Sequence, residues 1–221
     1  MKNFCKIKNM CRLFDSMTDS EAEKIVNAPY SKIRSCEKGE FIMYAGDRAQ
    51  SMGIVLEGSV CVIKEDFWGN RAIIAKMAPG DIFAESFALG RLNLAVSVAA
   101  AEKSKVLLID CASLFDTAFA DKSGERLMAN LTKICSLKNV MLMQKMEHLA
   151  KRTTRSKLLS YLSEQSERAG TATFSIPFNR RELADYLCVD RSAMSSELGR
   201  LRDEGFIEFN KNRFTLLKQE I

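Results

Sequence analysis

The sequence is poor in the residues that build most active sites. It holds one histidine, His148, and only three prolines, and its seven cysteines form no Cys-x-x-Cys pair. A lone histidine inside a helical pattern leaves Ser-His or Cys-His catalysis resting on a single residue. No glycine-rich phosphate loop makes up for it. The missing Cys-x-x-Cys removes the commonest zinc and redox spacing, so no metal site is expected. An odd number of cysteines cannot all pair, and 221 residues can build a core without disulfides. Most of the thiols sit among apolar neighbours, as in Val60-Cys61-Val62, where cysteine acts as a small hydrophobe.

Long apolar runs are also missing. Leu92–Ala101 is broken by Asn93 and Ser97 and falls well short of the ~20 residues a membrane-spanning helix needs. The opening Met1–Met10 scatters lysines through its apolar positions, which predicts no secretory segment and a cytoplasmic location. The expectation is a folded protein of one or two domains that is not an enzyme and has no membrane partner. A formal charge of +5 permits an anionic partner without identifying one.

What is present divides the chain. Residues 30–110 alternate glycine-centred turns with β-rich runs: Gly53–Leu56, Ser59–Ile63, Arg71–Ala75, Ala95–Val98 and Val106–Ile109. Short strands at regular spacing predict a sandwich or barrel, with Gly69-Asn70 at a hairpin tip. After Asp110 the pattern changes. Two seven-residue series, Leu127/Ile134/Met141/His148 and Met128/Cys135/Leu142/Leu149, predict a long helix with a broad apolar face. Such a face can cover its own domain and also serve as a dimer seam, with His148 at the surface or in the seam. Thr153 or Thr154 caps the next helix, which buries Leu158, Leu159 and Leu162.

The last 71 residues carry 13 basic and 10 acidic side chains, and nine of the basic ones are arginine. Asn179 with Glu182 three residues on predicts a capped helix that buries Leu183, Ala184 and Leu187. Cys188-Val189 then turns, and Asp190 caps a second helix with Met194, Leu198 and Leu201 inside. That is the apolar layout of a helix-turn-helix. The opposite flank carries Arg191, Ser192, Ser195, Ser196 and Gly199, small or polar apart from one arginine. Arginine can bond both acceptors of guanine, and serine can meet phosphate or base edges. Gly205 ends the helix. Phe206–Phe209 and Arg213–Leu217 are expected to pair across Asn210-Lys211-Asn212, putting Lys211 and Arg213 where they could meet phosphate.

With these motifs in view, the chain resembles the Crp/Fnr superfamily of bacterial transcription regulators over most of its length. The likeness is strongest in Phe178–Ile207, and it returns at Gly53–Val60 and at Pro79-Gly-Asp-Ile-Phe-Ala-Glu-Ser86. It implies an α+β architecture: a cyclic-nucleotide-binding-like β-roll (1–122), a long dimerisation helix (123–150) and a winged helix-turn-helix (151–221). It implies a homodimer on palindromic double-stranded DNA, with RNA polymerase as a candidate protein partner. The candidate DNA contacts are Asn179, Arg180, Arg191, Ser192, Ser195, Ser196, Arg200, Lys211 and Arg213. Ser196 stands where many members carry arginine, which shifts guanine reading onto Arg191. The alternative is a small-molecule or redox sensor that acts through a protein partner and keeps a vestigial DNA module.

By the same likeness the candidate effector residues are Phe83, Ala84, Glu85, Ser86 and Arg91. Cyclic-nucleotide members present Phe-Gly-Glu and, about ten residues on, an arginine for the phosphate. Here Ala84 replaces the glycine, Asn93-Leu94-Ala95 holds no cation, and Arg91 is out of phase. A buried phosphate without a counter-charge is costly, which argues against cyclic AMP. Cys5 and Cys11 supply at most half the ligands of an iron–sulfur cluster. A haem sensor wants a histidine in the β domain, and His148 lies elsewhere. The effector is left unassigned.

Overall fold

The computed structural model describes residues 7–120 and 123–217. The chain forms two compact units, one running to Asn70 and resuming over Ile74–Asn139, the other taking Arg71–Ile73 and everything from Val140 on.

The first unit is a roll of two antiparallel four-stranded sheets. One sheet has the order β1 (Ser31–Cys36), β8 (Ser104–Asp110), β3 (Ser51–Glu57), β6 (Ile82–Phe83). The other is ordered β2 (Phe41–Met43), β7 (Ser97–Ala100), β4 (Val60–Glu65), β5 (Arg71–Met77). The expected strand at Ala95–Val98 starts later, because the backbone of Leu94 is already bonded to Asp47 and Gly46. Between the sheets, Val55, Val60, Val98, Ala100 and Val106 close around the Phe83 ring. Gly53 is obligatory beneath that ring, since a Cβ there would come within 2.0 Å of Phe83 Cζ. At the β4–β5 tip Asp66 accepts hydrogen bonds from the backbone N–H groups of Trp68 and Asn70, and Gly69 takes the positive φ of 79° expected of it.

Helix α1 (Asp19–Val26) begins with a Thr18–Glu21 capping box and buries Ala22, Ile25 and Val26. The short α2 (Glu85–Leu89) follows β6, and α3 (Cys111–Ala120) follows β8. The long α4 spans Gly124–Ala150. Its first turns bury Leu127, Leu131 and Ile134 in the core of the first unit, each contributing roughly 1.5–3 kcal/mol. There Asn130 Nδ2 donates to the carbonyls of Leu13 and Asp15, at 2.9 and 2.7 Å. From Leu137 onward the apolar face is open: Leu137, Val140, Met141, Leu142, Met143 and Met146 are 46–69% exposed.

In the second unit α5 (Thr154–Ala169) is capped by Thr153 and buries Leu158, Tyr161 and Leu162. Leu159 is only half-buried. His148 corrects the sequence expectation, because it lies neither at the surface nor in a seam. It is 3% exposed, with Nδ1 2.8 Å from Ser160 Oγ and Nε2 2.7 Å from Glu164 Oε2. After the turn at 151–153, α5 packs back on the end of α4 and supplies both partners. Heptad spacing shows which helical face is apolar, not which neighbour will cover it.

Next come β9 (Thr173–Ser175), α6 (Arg180–Leu187), α7 (Arg191–Asp203), β10 (Ile207–Asn210) and β11 (Arg213–Leu216). The strands form a three-stranded sheet in the order β10-β11-β9. The expected three-residue tip is a two-residue loop, Lys211-Asn212, because Asn210 pairs with Arg213. Strand β9 was not foreseen. A three-residue strand carries too little alternation to be seen without its partner.

Candidate nucleic-acid interface

Helices α6 and α7 are held by side chains at their ends and by apolar residues between them. Asn179 and Glu182 form a full capping box on α6, each side chain accepting from the other residue's backbone N–H. Leu183, Ala184 and Leu187 face Met194, Leu198 and Leu201, all at most 1% exposed. Cys188 closes α6 in the left-handed region at φ 51°. Asp190 then accepts from the Ala193 N–H at 2.7 Å, opening α7. A cap of this kind is worth about 1 kcal/mol. At the other end, Gly205 sits at φ 74°. Its N–H reaches the Arg202 carbonyl, and the Phe206 N–H reaches that of Leu201. This is the Schellman arrangement that satisfies the last carbonyls and turns the chain into the wing.

With one flank of α7 fixed inward, helical geometry turns the other outward. Arg191, Ser192, Ser195, Ser196 and Arg200 are all exposed. Ser192, Ser196 and Arg200 form one row at i, i+4 spacing, and Arg191 with Ser195 forms the next. Ser195 Oγ donates to the Arg191 carbonyl at 2.9 Å, so toward a ligand it presents acceptor lone pairs. Arg200 lies 3.4 Å from Glu197 and is largely exposed. Lys211 and Arg213 stand exposed at the wing tip, Lys211 at φ 54°.

Two of the candidate residues are placed differently. The Asn179 side chain is engaged as the α6 cap. Arg180 is half-buried, its guanidinium 4.7 Å from the Phe209 ring centre and 5.1 Å from that of Phe214. Burial lowers its pKa from the ordinary arginine value. Arg180 therefore braces the wing. The sequence also passed over Arg155, whose guanidinium reaches Glu197 on α7 and Glu204 beyond its end. The available signal was its position in the first turn of α5, where a positive charge opposes the helix dipole.

The candidate effector residues differ in exposure and in partners. Phe83 is wholly buried between the sheets. Ala84 is the N-cap of α2 at φ 61°. Glu85 is 3% exposed, and its carboxylate accepts from Lys138 Nζ of α4 at 2.8 Å. The same amine donates to the Ile82 carbonyl at 2.6 Å. Ser86 and Arg91 are exposed. At the position of the missing arginine, Leu94 is buried in apolar packing. These residues do not fit a cyclic nucleotide: Glu85 already has Lys138 as its counter-ion, and apolar Leu94 stands where a phosphate-binding arginine is expected, so a phosphate buried there would meet no counter-charge from that position. Among the described residues no group of histidine, cysteine or acidic side chains could hold a metal ion, and no helix is long and apolar enough to cross a membrane.

Comparison with known proteins agrees with this geometry. Residues 33–121 match the cyclic nucleotide-binding domain family, and residues 156–220 match the Crp-like helix-turn-helix domain family. The transcriptional activator protein FnrL of Cereibacter sphaeroides is 24% identical over 198 residues, covering 83% of this chain and 75% of its own. The structure of FixK2 from Bradyrhizobium japonicum is similar at 26% identity and a TM-score of 0.65, over 85% of this chain and 93% of that one. The c-di-GMP responsive global regulator CLP of Xanthomonas campestris shares the fold at 17% identity and a TM-score of 0.71. That match covers 91% of this chain and 100% of the other.

Proposed function

Because this chain belongs to the Crp/Fnr family of transcription regulators, we propose that it reads a palindromic operator as a homodimer, with α7 in the major groove. Members of the family are DNA-binding proteins without enzymatic activity. One observation carries the finer reading: the Arg191, Ser192 and Ser196 flank of α7 is exposed while Met194, Leu198 and Leu201 anchor the other side. Arg191 reads guanine, Ser192 and Ser196 meet base edges or phosphate, Ser195 accepts from an amino group on a base edge, and Lys211 and Arg213 of the wing lie on the backbone. Arg200 adds a phosphate contact at the far end of the helix.

The open apolar face of α4 beyond Leu137 is the dimer seam in this reading. Residues 1–122 receive a signal, 123–150 form the dimerisation helix, and 151–221 bind DNA. The effector or redox signal acts by shifting the paired helices, which resets the spacing of the two recognition helices toward one DNA turn, ~34 Å. The Glu85–Lys138 pair, which joins α2 to α4, supports this route. The coupling is reciprocal: DNA tightens effector binding by the factor that effector tightens DNA binding. RNA polymerase is the candidate partner of the promoter-bound dimer, and the cytoplasm is where this function would be exercised.

The test is titration of the full chain against the DNA upstream of its own gene and against a random duplex, over a salt series, with native mass measurement of the same samples. We expect a dimer whose binding is sequence-preferring and weakens with salt. Absence of any salt-dependent binding overturns the reading in favour of a sensor that works through another protein.

A further inference from the structure

Two charges in the second unit stand where local rules disfavour them. Arg155 occupies the first turn of α5, which has no acidic residue in that turn, although a helix N-terminus carries partial positive charge. Glu197 sits midway along α7, on the helix that meets a polyanion in the proposed function. Their positions are explained by each other. Arg155 Nη1 lies 3.3 Å from Glu197 Oε1, and Nη2 lies 2.6 Å from Glu204 Oε2 at the C-cap of α7. The guanidinium also lies 5.0 Å from the centre of the Phe206 ring, just past the Schellman turn. These carboxylates raise the pKa of Arg155 above the ordinary arginine value, Glu204 contributing most.

We infer that Arg155 is a positioning residue for DNA recognition: it fixes α7 at mid-helix and C-cap and neutralises the Glu197 charge that would otherwise repel phosphate. The inference rests on the DNA-binding reading above. A planar guanidinium can hold two carboxylates and a ring face together, which an ammonium cannot. Glu197 is only 14% exposed on its side chain, so without Arg155 its charge would be poorly screened by water and would persist close to the DNA. Arg200, 3.4 Å from the other Glu197 oxygen and 72% exposed, is the weaker counter-ion. No base contact by Arg155 is required.

The test uses the full chain and two probes: the duplex that the wild-type protein enriches from a random library, and an unselected random duplex. Arg155→Ala is expected to weaken binding to the enriched duplex roughly tenfold or more, as expected for an uncompensated charge beside phosphate. The Arg155→Ala/Glu197→Gln double variant should recover most of that loss, while Glu197→Gln alone binds within about twofold of wild type by the same argument. A purely structural role predicts no recovery, since the double variant still lacks the clamp. Arg155→Lys should fall between wild type and Arg155→Ala, and it serves if Arg155→Ala does not fold. Equal binding by wild type and Arg155→Lys, or no rescue by Glu197→Gln, overturns the inference. Failure of the wild type to bind either duplex overturns the DNA-binding reading itself, and this inference with it.

Discussion

The two units use their charged groups in opposite directions. In the first, Glu85 and Lys138 turn inward and satisfy each other beside the Ile82 carbonyl. In the second, Arg191, Arg200, Lys211 and Arg213 turn outward along one helix flank and one hairpin. An internally paired acid holds two elements together and is unavailable to a ligand. An exposed cation contributes little to stability and is available to an anion. The contrast sets the paired acid of the unit that matches a cyclic nucleotide-binding domain over 33–121 against the open cations of the unit that matches a Crp-like helix-turn-helix domain over 156–220.

The largest effect should come from breaking the inward pair. Lys138→Met leaves the Glu85 carboxylate buried without its counter-ion, and an orphaned buried charge costs roughly 3–5 kcal/mol. Thermal unfolding should show a drop of that order. Lys138→Met/Glu85→Gln should regain part of it, because the remaining group is then neutral. A Lys138→Met protein as stable as wild type would mean that the pair is not what joins α2 to α4.

Lys145 tests the contrast from the other side, as an inward charge in the outward-facing unit. Its amine donates to the Ile73 carbonyl, lies 4.2 Å from the centre of the Tyr186 ring and is 5% exposed. Burial pushes its pKa down from 10.5 to about 8. Between those values the unfolded chain holds a proton that the folded chain has released, so this group's contribution to stability rises with pH across the window. Below pH ~8 both states are protonated and the penalty is constant. Buried thiols act in the opposite sense. Cys11 and Cys111 are pushed up by burial to about 12 and about 11, so they lose stability as unfolded thiols ionise. The measurement is therefore the difference between wild type and Lys145→Met, in which the thiols cancel. That difference should move in favour of wild type by an amount on the order of 2–3 kcal/mol from pH 8 to 10.5. A flat difference would mean that the amine keeps its proton.

Much of this contrast was legible in the sequence on its outward side and little on its inward side. Asn179, Asp190 and Gly205 announce the ends of α6 and α7 through local chemistry, and Met194, Leu198 and Leu201 identify the inner face by spacing alone. The exposed flank is what remains, so its residues are legible as candidates from spacing alone. The inward contacts join positions far apart in the chain: Glu85 with Lys138, His148 with Ser160 and Glu164, Arg155 with Glu197 and Glu204. No periodicity encodes such a pairing. Arg180 shows the same limit, because its stacking on Phe209 and Phe214 depends on a wing that folds back over the start of α6.

On the outward side, Arg191→Ala should cost roughly 1–3 kcal/mol on the enriched duplex and relax preference at one position per half-site. Its melting temperature should stay at the wild-type value, since the side chain is exposed and such substitutions usually stay within ~0.5 kcal/mol of wild-type stability. Selection of the variant against a randomised half-site is the measurement. Unchanged sequence preference would move guanine reading to another side chain of α7, where Arg200 and Arg202 are also exposed.

The smallest effect separates the two outward elements most cleanly. Lys211 occupies φ 54° in the Lys211-Asn212 loop, a conformation that favours glycine. Lys211→Gly should therefore stabilise the fold, by at most about 1 kcal/mol. The same substitution removes a cation from the wing, so it should weaken binding to enriched and random duplexes alike and shallow the salt slope by about one ion. A gain in stability with a uniform loss in DNA affinity is the signature of a residue kept in a strained position for its charge. If Lys211→Gly stabilises the fold and leaves both affinities unchanged, the wing does not touch DNA. Binding would then rest on α7 alone.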